Sequence, residues 1–446
     1  MGVRELKKGL KFYFIGVCGI SMSGLAMYLL GRGCKVSGSD LNGGEMVERL
    51  RLAGAEITVG ERVSFSAIDG CDVVIYTDAI PLENKELCYA KAQGKEVLSR
   101  AELLKRVCAE FRSVLAVAGS HGKTTCTSMC AHVLQAARVP FCAHIGGEDC
   151  QFGNFYDGGN EYFVTEACEY KKNLLKVPAD TVILLNVDKD HLECYDGEED
   201  LRNTFTAFCA TAKTAVACLD DACGASISGA VTFSIYEKKA DYRATYLRSD
   251  AERYSFTVRE YGIPVCRIHL KVVGRCNVYN ALAAFAAMRT YGFSVEEIKR
   301  GLESFVGVKR RFEIIGRYRG AAAICDYAHH PKEIASTVQT AKRLARQRLF
   351  VVFQPHTYSR TKNLFPEFVS TLKEIDRLMI YKTFPARERL DEQGDGKTLA
   401  EKVGCLYGDS LSALRAWLDR TVSEGDVVLF LGAGDVYHLA KYLVKN

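Results

Sequence analysis

No stretch of this 446-residue chain approaches the roughly 20 consecutive apolar residues that a membrane-spanning helix needs, so a membrane partner is not expected. No lysine–arginine run forms a stripe and the net charge is only +5, so nucleic acid is not expected either. The opening Met-Gly-Val-Arg-Glu-Leu-Lys-Lys-Gly has charge but no adjoining apolar segment with a cleavage site, and Leu6 breaks the myristoylation pattern. No C-x-x-C pair occurs among the 18 cysteines, which excludes a zinc ribbon and a thioredoxin-like site. Cys34, Cys71, Cys130, Cys218 and Cys325 fall in apolar segments, where a thiol packs as a small hydrophobe. The expectation is a cytoplasmic protein with reduced thiols.

What is present is a repeated alternation of strand and helix. The length exceeds what one hydrophobic core supports, so two or three domains are expected. Residues 12–17 read as a buried strand, followed by a glycine turn, a helix over 22–30 and a strand over 35–40 that ends on Asp40. With a strand at 73–77 this is a Rossmann-like α/β domain over residues 1–108. A second unit, 109–306, opens with a strand at 113–118 that runs into a glycine loop and a helix over 123–137. It continues with strands at 162–166 and 181–186, short β segments over 231–272, and a helix from Asn277. This is a central domain of the P-loop ATPase kind. A third, again Rossmann-like, covers 307–446, with strands at 321–325, 349–353, 377–381 and 427–431.

The central loop reads Gly119-Ser120-His121-Gly122-Lys123-Thr124-Thr125. A strand feeding a glycine turn and a helix N-terminus gathers backbone N–H groups at the positive end of a helix dipole, which suits phosphate. Lys123 can reach the β and γ phosphates and the Thr124 hydroxyl can ligate Mg²⁺. The literal Walker A pattern fails, because Val117 stands where its first glycine would be. Glu166 ends one strand and Asn186-Val-Asp-Lys-Asp190-His191 follows another; both are expected to face the phosphates. Carboxylate oxygen suits Mg²⁺. An imidazole is a softer ligand, so His191 reads equally as a metal ligand or as a structural residue. The first turn, Gly16-Val-Cys18-Gly19-Ile-Ser21-Met-Ser23-Gly24, is a degenerate dinucleotide fingerprint that still suits a diphosphate, with Asp40 placed for a ribose or another polar group. In the third domain, Asp326-Tyr327-Ala-His329-His330-Pro and Gln354-Pro-His356-Thr-Tyr358-Ser-Arg360 each follow a strand. Two His-rich basic strand ends suit a substrate carboxylate, which Arg binds in bidentate fashion.

Taken in order, these motifs resemble the Mur ligases. The resemblance rests on the phosphate loop, Glu166-Ala-Cys-Glu169, Asn186-x-x-x-Asp190-His191, Gly274-Arg-Cys-Asn277-x-x-Asn280 and Arg310-Arg311-Phe-Glu313, and it spans all three domains. The two third-domain motifs resemble the branch that joins L-alanine to UDP-N-acetylmuramate. The resemblance implies that the first domain holds the UDP of the sugar nucleotide, through Gly16, Gly19, Ser21, Ser23 and Asp40. It implies ATP and Mg²⁺ in the central domain, with Lys123 on the phosphates and Thr124 and Glu166 on one Mg²⁺. His191 would help hold a second Mg²⁺. Asn277 and Asn280 would contact the nucleotide, Arg311 a phosphate, and Asp326 the ribose. Tyr327, His329 and Arg360 would form the amino-acid pocket, with His329 a candidate base. A monomer or homodimer is expected.

The chemistry implied is phosphorylation of the muramoyl carboxylate followed by attack of the amine on the acyl phosphate. Three sequence departures stand out: Cys18 and Ser21 where many members have glycine, Cys276 where many have histidine, and Thr357 where some have arginine. The last leaves Arg360 a larger share of carboxylate binding. The nearest alternative is a relative that attaches a ready-made murein peptide to the same sugar nucleotide.

Overall fold

The computed structural model describes residues 6–189, 194–251, 253–386 and 388–445. Asp190 and His191 therefore lie outside the described residues. Among those described, the strands form three sheets of five, ten and six strands, in a three-domain α/β architecture. No described helix is long and apolar enough to cross a membrane. None of the 18 cysteines forms a disulfide among the described residues.

The first sheet is parallel throughout, in the spatial order Glu56–Val59, Lys35–Asp40, Lys11–Ile15, Val73–Tyr76, Glu96–Ser99. Its central strands, Lys11–Ile15 and Val73–Tyr76, are largely apolar runs because both faces are covered: Phe12 and Phe14 enter one core, Tyr13 and Ile15 the other. The order reverses beside Lys11–Ile15. In open α/β sheets a ligand crevice forms at such a switch, outside the carboxyl ends of the strands.

The second sheet centres on Ser113–Ala118, flanked in parallel by Thr181–Leu184 and Tyr162–Glu166. Phe141–Asp149 extends it in parallel and Gly153–Asp157 closes that edge antiparallel. Beyond Thr181–Leu184 come Thr214–Cys218, Val231–Ser234, Tyr242–Asp250, Arg253–Glu260 and Ile263–Val273. The region read as short β segments thus contains three long strands. Helix Lys123–Ala137 is buried over most of its length, and helix Val295–Ser304 packs on it through Gly301, where a Cβ would lie 2.4 Å from Val133 Cα. Helix Cys276–Thr290 is lined by alanines and is buried from Asn280 to Met288.

By contacts the chain forms two compact units. One runs to Leu247 and includes Phe256–His269 and Cys276–Val306; the other comprises Arg248–Ser255, Leu270–Arg275 and the chain from Gly307. The second unit carries the third sheet. Glu313–Tyr318 pairs antiparallel with Ala321–Asp326, followed in parallel by Val427–Leu431, Leu349–Phe353, Leu378–Tyr381 and Leu406–Gly408.

Candidate functional site

The strand Ser113–Ala118 is wholly apolar from Val114 on and buried in the sheet, so the chain emerges at its carboxyl end with no freedom but to turn. The turn needs glycine twice. Gly119 has φ 131° and its missing Cβ would sit 2.9 Å from the Asn186 carbonyl oxygen. Gly122 has φ 87°, and a Cβ there would lie 2.5 Å from Asn280 Oδ1. Only glycine takes both the left-handed backbone and the close approach. Asn280 in turn donates to Asn277 Oδ1 at 3.0 Å, so both expected nucleotide residues stand beside the loop.

Asn186 shapes the loop. Its carbonyl accepts from Ser120 N–H, its Oδ1 accepts from His121 N–H at 2.9 Å, and its side-chain amide donates to His121 O at 3.0 Å. The amides of Ser120 and His121 are thereby engaged with the chain itself. The helix that starts at Lys123 has no intrahelical acceptor for its first amides, at Lys123, Thr124 and Thr125. Those amides, with the helix dipole, form the anion end of the loop.

Lys123 is nearly buried and bonds Gly119 O at 2.5 Å, Ser120 O at 3.1 Å and Glu169 Oε1 at 3.1 Å. Burial alone would push its ammonium pKa down; the charge and hydrogen bond of Glu169, with the further charges of Cys168 and Glu166, together outweigh this and hold it above the ordinary value. Lys123 therefore carries a full positive charge at neutral pH. Glu169 Oε2 lies 3.0 Å from the ammonium, yet it is buried and makes no hydrogen bond. Glu166, at the end of Tyr162–Glu166, lies on the backbone of the neighbouring strand, where Gly146 N–H donates to its Oε1 at 2.5 Å. Thr124 is 4 % exposed in the first turn of the helix. The Thr124 hydroxyl and the Glu166 carboxylate at this strand edge are hard oxygen donors; that set fits Mg²⁺ rather than a softer metal.

At the first turn, the Gly16 and Val17 amides both donate to Ser39 O, and Ser23 N–H donates to Gly19 O, starting helix Ile20–Gly31. Asp40 Oδ2 accepts from Cys18 N–H at 2.9 Å and Oδ1 from Asn42 N–H at 3.1 Å, so its carboxylate braces the turn. Ser23, expected at the sugar nucleotide, is instead fully buried. Its hydroxyl donates to Ile20 O and accepts from Asn154 Nδ2 at 2.9 Å. It sits one helical turn in, facing the strand Gly153–Asp157, and so supports the turn from inside.

In the other unit, Asp326 ends its strand and accepts from Phe312 N–H at 2.7 Å and Ala328 N–H at 2.8 Å. Arg310 spans the neighbouring turn, donating to Gly432 O at 3.2 Å and Gly434 O at 2.9 Å. The Arg310 and Arg311 guanidinium groups both lie over the Tyr327 ring, at 4.8 and 4.9 Å. His329 Nδ1 is 3.0 Å from Tyr327 O. A carbonyl only accepts, so Nδ1 carries a proton, and Nε2 is the nitrogen that accepts whenever the ring is neutral. Arg360 Nη1 lies 3.3 Å from His356 Nδ1, and the His356 ring stands 6.0 Å from that of His329. Burial, with the charges of His329 and Arg360, depresses His356 to about 3, so it stays neutral and accepts from Arg360. Tyr327, His329 and Arg360 are thus brought to one edge of the sheet, with His356 among them.

Burial raises the Asp326 carboxyl to about 6, against the lowering charge of Arg311 and its two amide donors. Its folded value lies above the ordinary 3.8, so the stabilisation it gives is present below about pH 4 and is lost as pH rises through about 6. The melting temperature of the wild type minus that of Asp326→Asn is expected to fall between pH 4 and 6.5. Thermal melts across that range check this, and a flat difference would refute it.

Sequence reasoning gave no role to Glu169, Asn186, His144, Arg100 or His356. Glu169 and Asn186 were visible as motif members; their partners were not.

These residues meet known relatives at every point of the chain. It matches the Mur ligase family catalytic domain over residues 11–112, the Mur ligase middle domain over 117–288, and the Mur ligase glutamate ligase domain over 310–434. It is 38% identical to the UDP-N-acetylmuramate–L-alanine ligase of Acetivibrio thermocellus, over 97% of this chain and 95% of that one. Among solved structures, the UDP-N-acetylmuramate–alanine ligase of Thermotoga maritima superposes with a TM-score of 0.85 at 28% identity, over 98% of both chains. A murein peptide ligase from Psychrobacter arcticus gives 0.77 at 25% identity, over 98% of both. A relative this similar along nearly its whole length leaves one conclusion: the chain belongs to the Mur ligase family.

Proposed function

We infer that this chain joins L-alanine to the lactoyl carboxylate of UDP-N-acetylmuramate, using ATP, in the synthesis of a peptidoglycan precursor. The observation that carries the reading is full-length similarity to an L-alanine ligase, with a phosphate loop and a His/Arg amino-acid pocket on one chain. ATP would lie on the loop Gly119–Thr125, with Asn277, Asn280, Arg311 and Asp326 as further contacts. The sugar nucleotide would lie on the turn Gly16–Ser21. The reaction would run in the cytoplasm.

A carboxylate oxygen is a poor leaving group, so amide formation in water needs activation. Transfer of the γ-phosphoryl group to the carboxylate makes an acyl phosphate. Lys123, with its full charge in a water-poor site, offsets the charge that gathers on the phosphoryl oxygens. Thr124 and Glu166 would hold one Mg²⁺ and His191 would help hold a second beside Glu166, and these ions would supply Lewis-acid stabilisation. Arg360 holds the alanine carboxylate, and neutral His356 keeps the guanidinium in place. His329 Nε2 takes the proton that the amine must lose before attack. Phosphate then leaves the tetrahedral intermediate.

Phosphate release from ATP with UDP-N-acetylmuramate, against alanine, serine, glycine and a murein tripeptide, tests the reading. Alanine should give the highest kcat/KM. Turnover with tripeptide and none with alanine would transfer the chain to the peptide-attaching branch, and no nucleotide-dependent release would sink the ligase reading.

A further inference from the structure

We propose that Arg100 is an anion-binding residue for the diphosphate of the sugar nucleotide, aimed by Ser21 and His144; this rests on the reading that the first domain takes that substrate. Arg100 is the first residue of helix Arg100–Cys108. The nearest acid in sequence, Glu102, is occupied by the capping box, accepting from Ser99 N–H and Ser99 Oγ at 2.7 Å each. Arg100 is half-buried and, among the described residues, makes no ion pair. A guanidinium cannot discharge itself by losing its proton, so a half-buried one without a carboxylate is set for an external anion.

Its direction is fixed by a hydrogen-bond chain. Arg100 Nη1 donates to Ser21 Oγ at 3.2 Å. Ser21 Oγ and Ser21 O both lie 3.1 Å from His144 Nε2. The Ser21 carbonyl can only accept, so Nε2 carries the His144 proton. His144 Nδ1 then accepts from the Thr165 hydroxyl at 3.0 Å, a hydroxyl that also lies 3.3 Å from Glu166 O. Burial depresses the His144 pKa to about 4, which keeps this single neutral tautomer. Ser21 Oγ thus receives two donors, from Arg100 and His144, and its own O–H is left to donate. It does so from the first turn of helix Ile20–Gly31, at the positive end of the dipole. Arg100, a serine hydroxyl and helix amides converge there, and four N–H donors of the guanidinium remain beyond the one spent on Ser21.

The positive charges of Arg100 and Lys123 both act on the Cys168 thiol, between Glu166 and Glu169. Thr165, the last link of the chain, adjoins Glu166 on the strand Tyr162–Glu166. A diphosphate seated on Arg100 would therefore lie near the segment Glu166–Glu169.

Calorimetric titration of the full-length protein with UDP and with UDP-N-acetylmuramate tests this. Arg100→Ala should weaken both by a similar factor, roughly 10- to 100-fold, as expected for loss of charge-assisted hydrogen bonds. KM for the sugar nucleotide should rise more than kcat falls, with KM for ATP unchanged. Arg100→Lys, which keeps the charge and the stem, should fall between, and it carries the test if the alanine variant does not fold. UDP affinity unchanged in either folded variant would overturn the proposal. A loss confined to UDP-N-acetylmuramate, with UDP unaffected, would also overturn it and move the guanidinium to the muramoyl carboxylate. Failure of the wild type to bind UDP would instead strike at the substrate reading itself.

Discussion

Replacing Lys123 by alanine is expected to lower kcat roughly 10³-fold, the upper range for loss of one preorganised group facing transition-state charge. Two effects add. The ammonium that offsets charge on the transferring phosphoryl group is gone, and Glu169 is left buried without its cation. Glu169 is 2 % exposed and has one oxygen without a hydrogen-bond donor even in the intact site. Breaking a buried pair by removing one partner costs about 3–5 kcal/mol. Adding Glu169→Gln to Lys123→Ala removes the stranded charge, so it should restore much of the melting temperature and none of the turnover. Phosphate release and thermal melts on the two variants check both halves. Wild-type turnover in Lys123→Ala would refute the loop's role; a double mutant no more stable than the single would refute the pairing.

Gly122→Ala is expected to lower kcat/KM for ATP roughly 100-fold. The position has φ 87°, where a side chain costs about 1–2 kcal/mol. The added Cβ would also press Asn280 Oδ1 at 2.5 Å and Leu185 Cδ1 at 3.2 Å. The loop can relieve this only by moving its Lys123 end, which shifts the amides and ammonium off the phosphates; displacement of a positioning group by about 1 Å costs on the order of 100-fold. Replacing Asn280 by Ala as well opens the space and should improve the Gly122→Ala variant's retention of fold while leaving it short of wild-type turnover. Initial rates against ATP concentration read the effect, and an unchanged kcat/KM would show that the close approach is immaterial.

The parts of the fold legible in the sequence were those where one physical demand dominates. Strands 113–118 and 162–166 coincide with Ser113–Ala118 and Tyr162–Glu166, because a strand buried on both faces must be continuously apolar. Helix Lys123–Ala137 was readable from its glycine start. The long strands Tyr242–Asp250 and Arg253–Glu260 were read as short, because exposed charges such as Arg248, Asp250 and Arg253 interrupt their alternation. Gly153–Asp157 was not read at all: a Gly-Asn-rich edge strand has no apolar period. The site follows the same division. The loop declares itself by glycine spacing. Glu169 stands 46 residues from Lys123 in sequence, so their pairing is set by the sheet and not by any local pattern. His144 and Arg100 stand 44 residues apart in sequence, on two different domains, and meet only through Ser21.

The grip of Asn186 on residues 120 and 121 has a thermodynamic side. Three hydrogen bonds fix the loop peptide without any help from a nucleotide. The entropy of ordering those residues is therefore given up once, when the chain folds, and not again each time ATP arrives. Nucleotide entering such a preformed cradle would release bound water more than it would still a moving backbone, and Asn186, which need not touch the ligand, would set how much of the binding free energy survives as affinity.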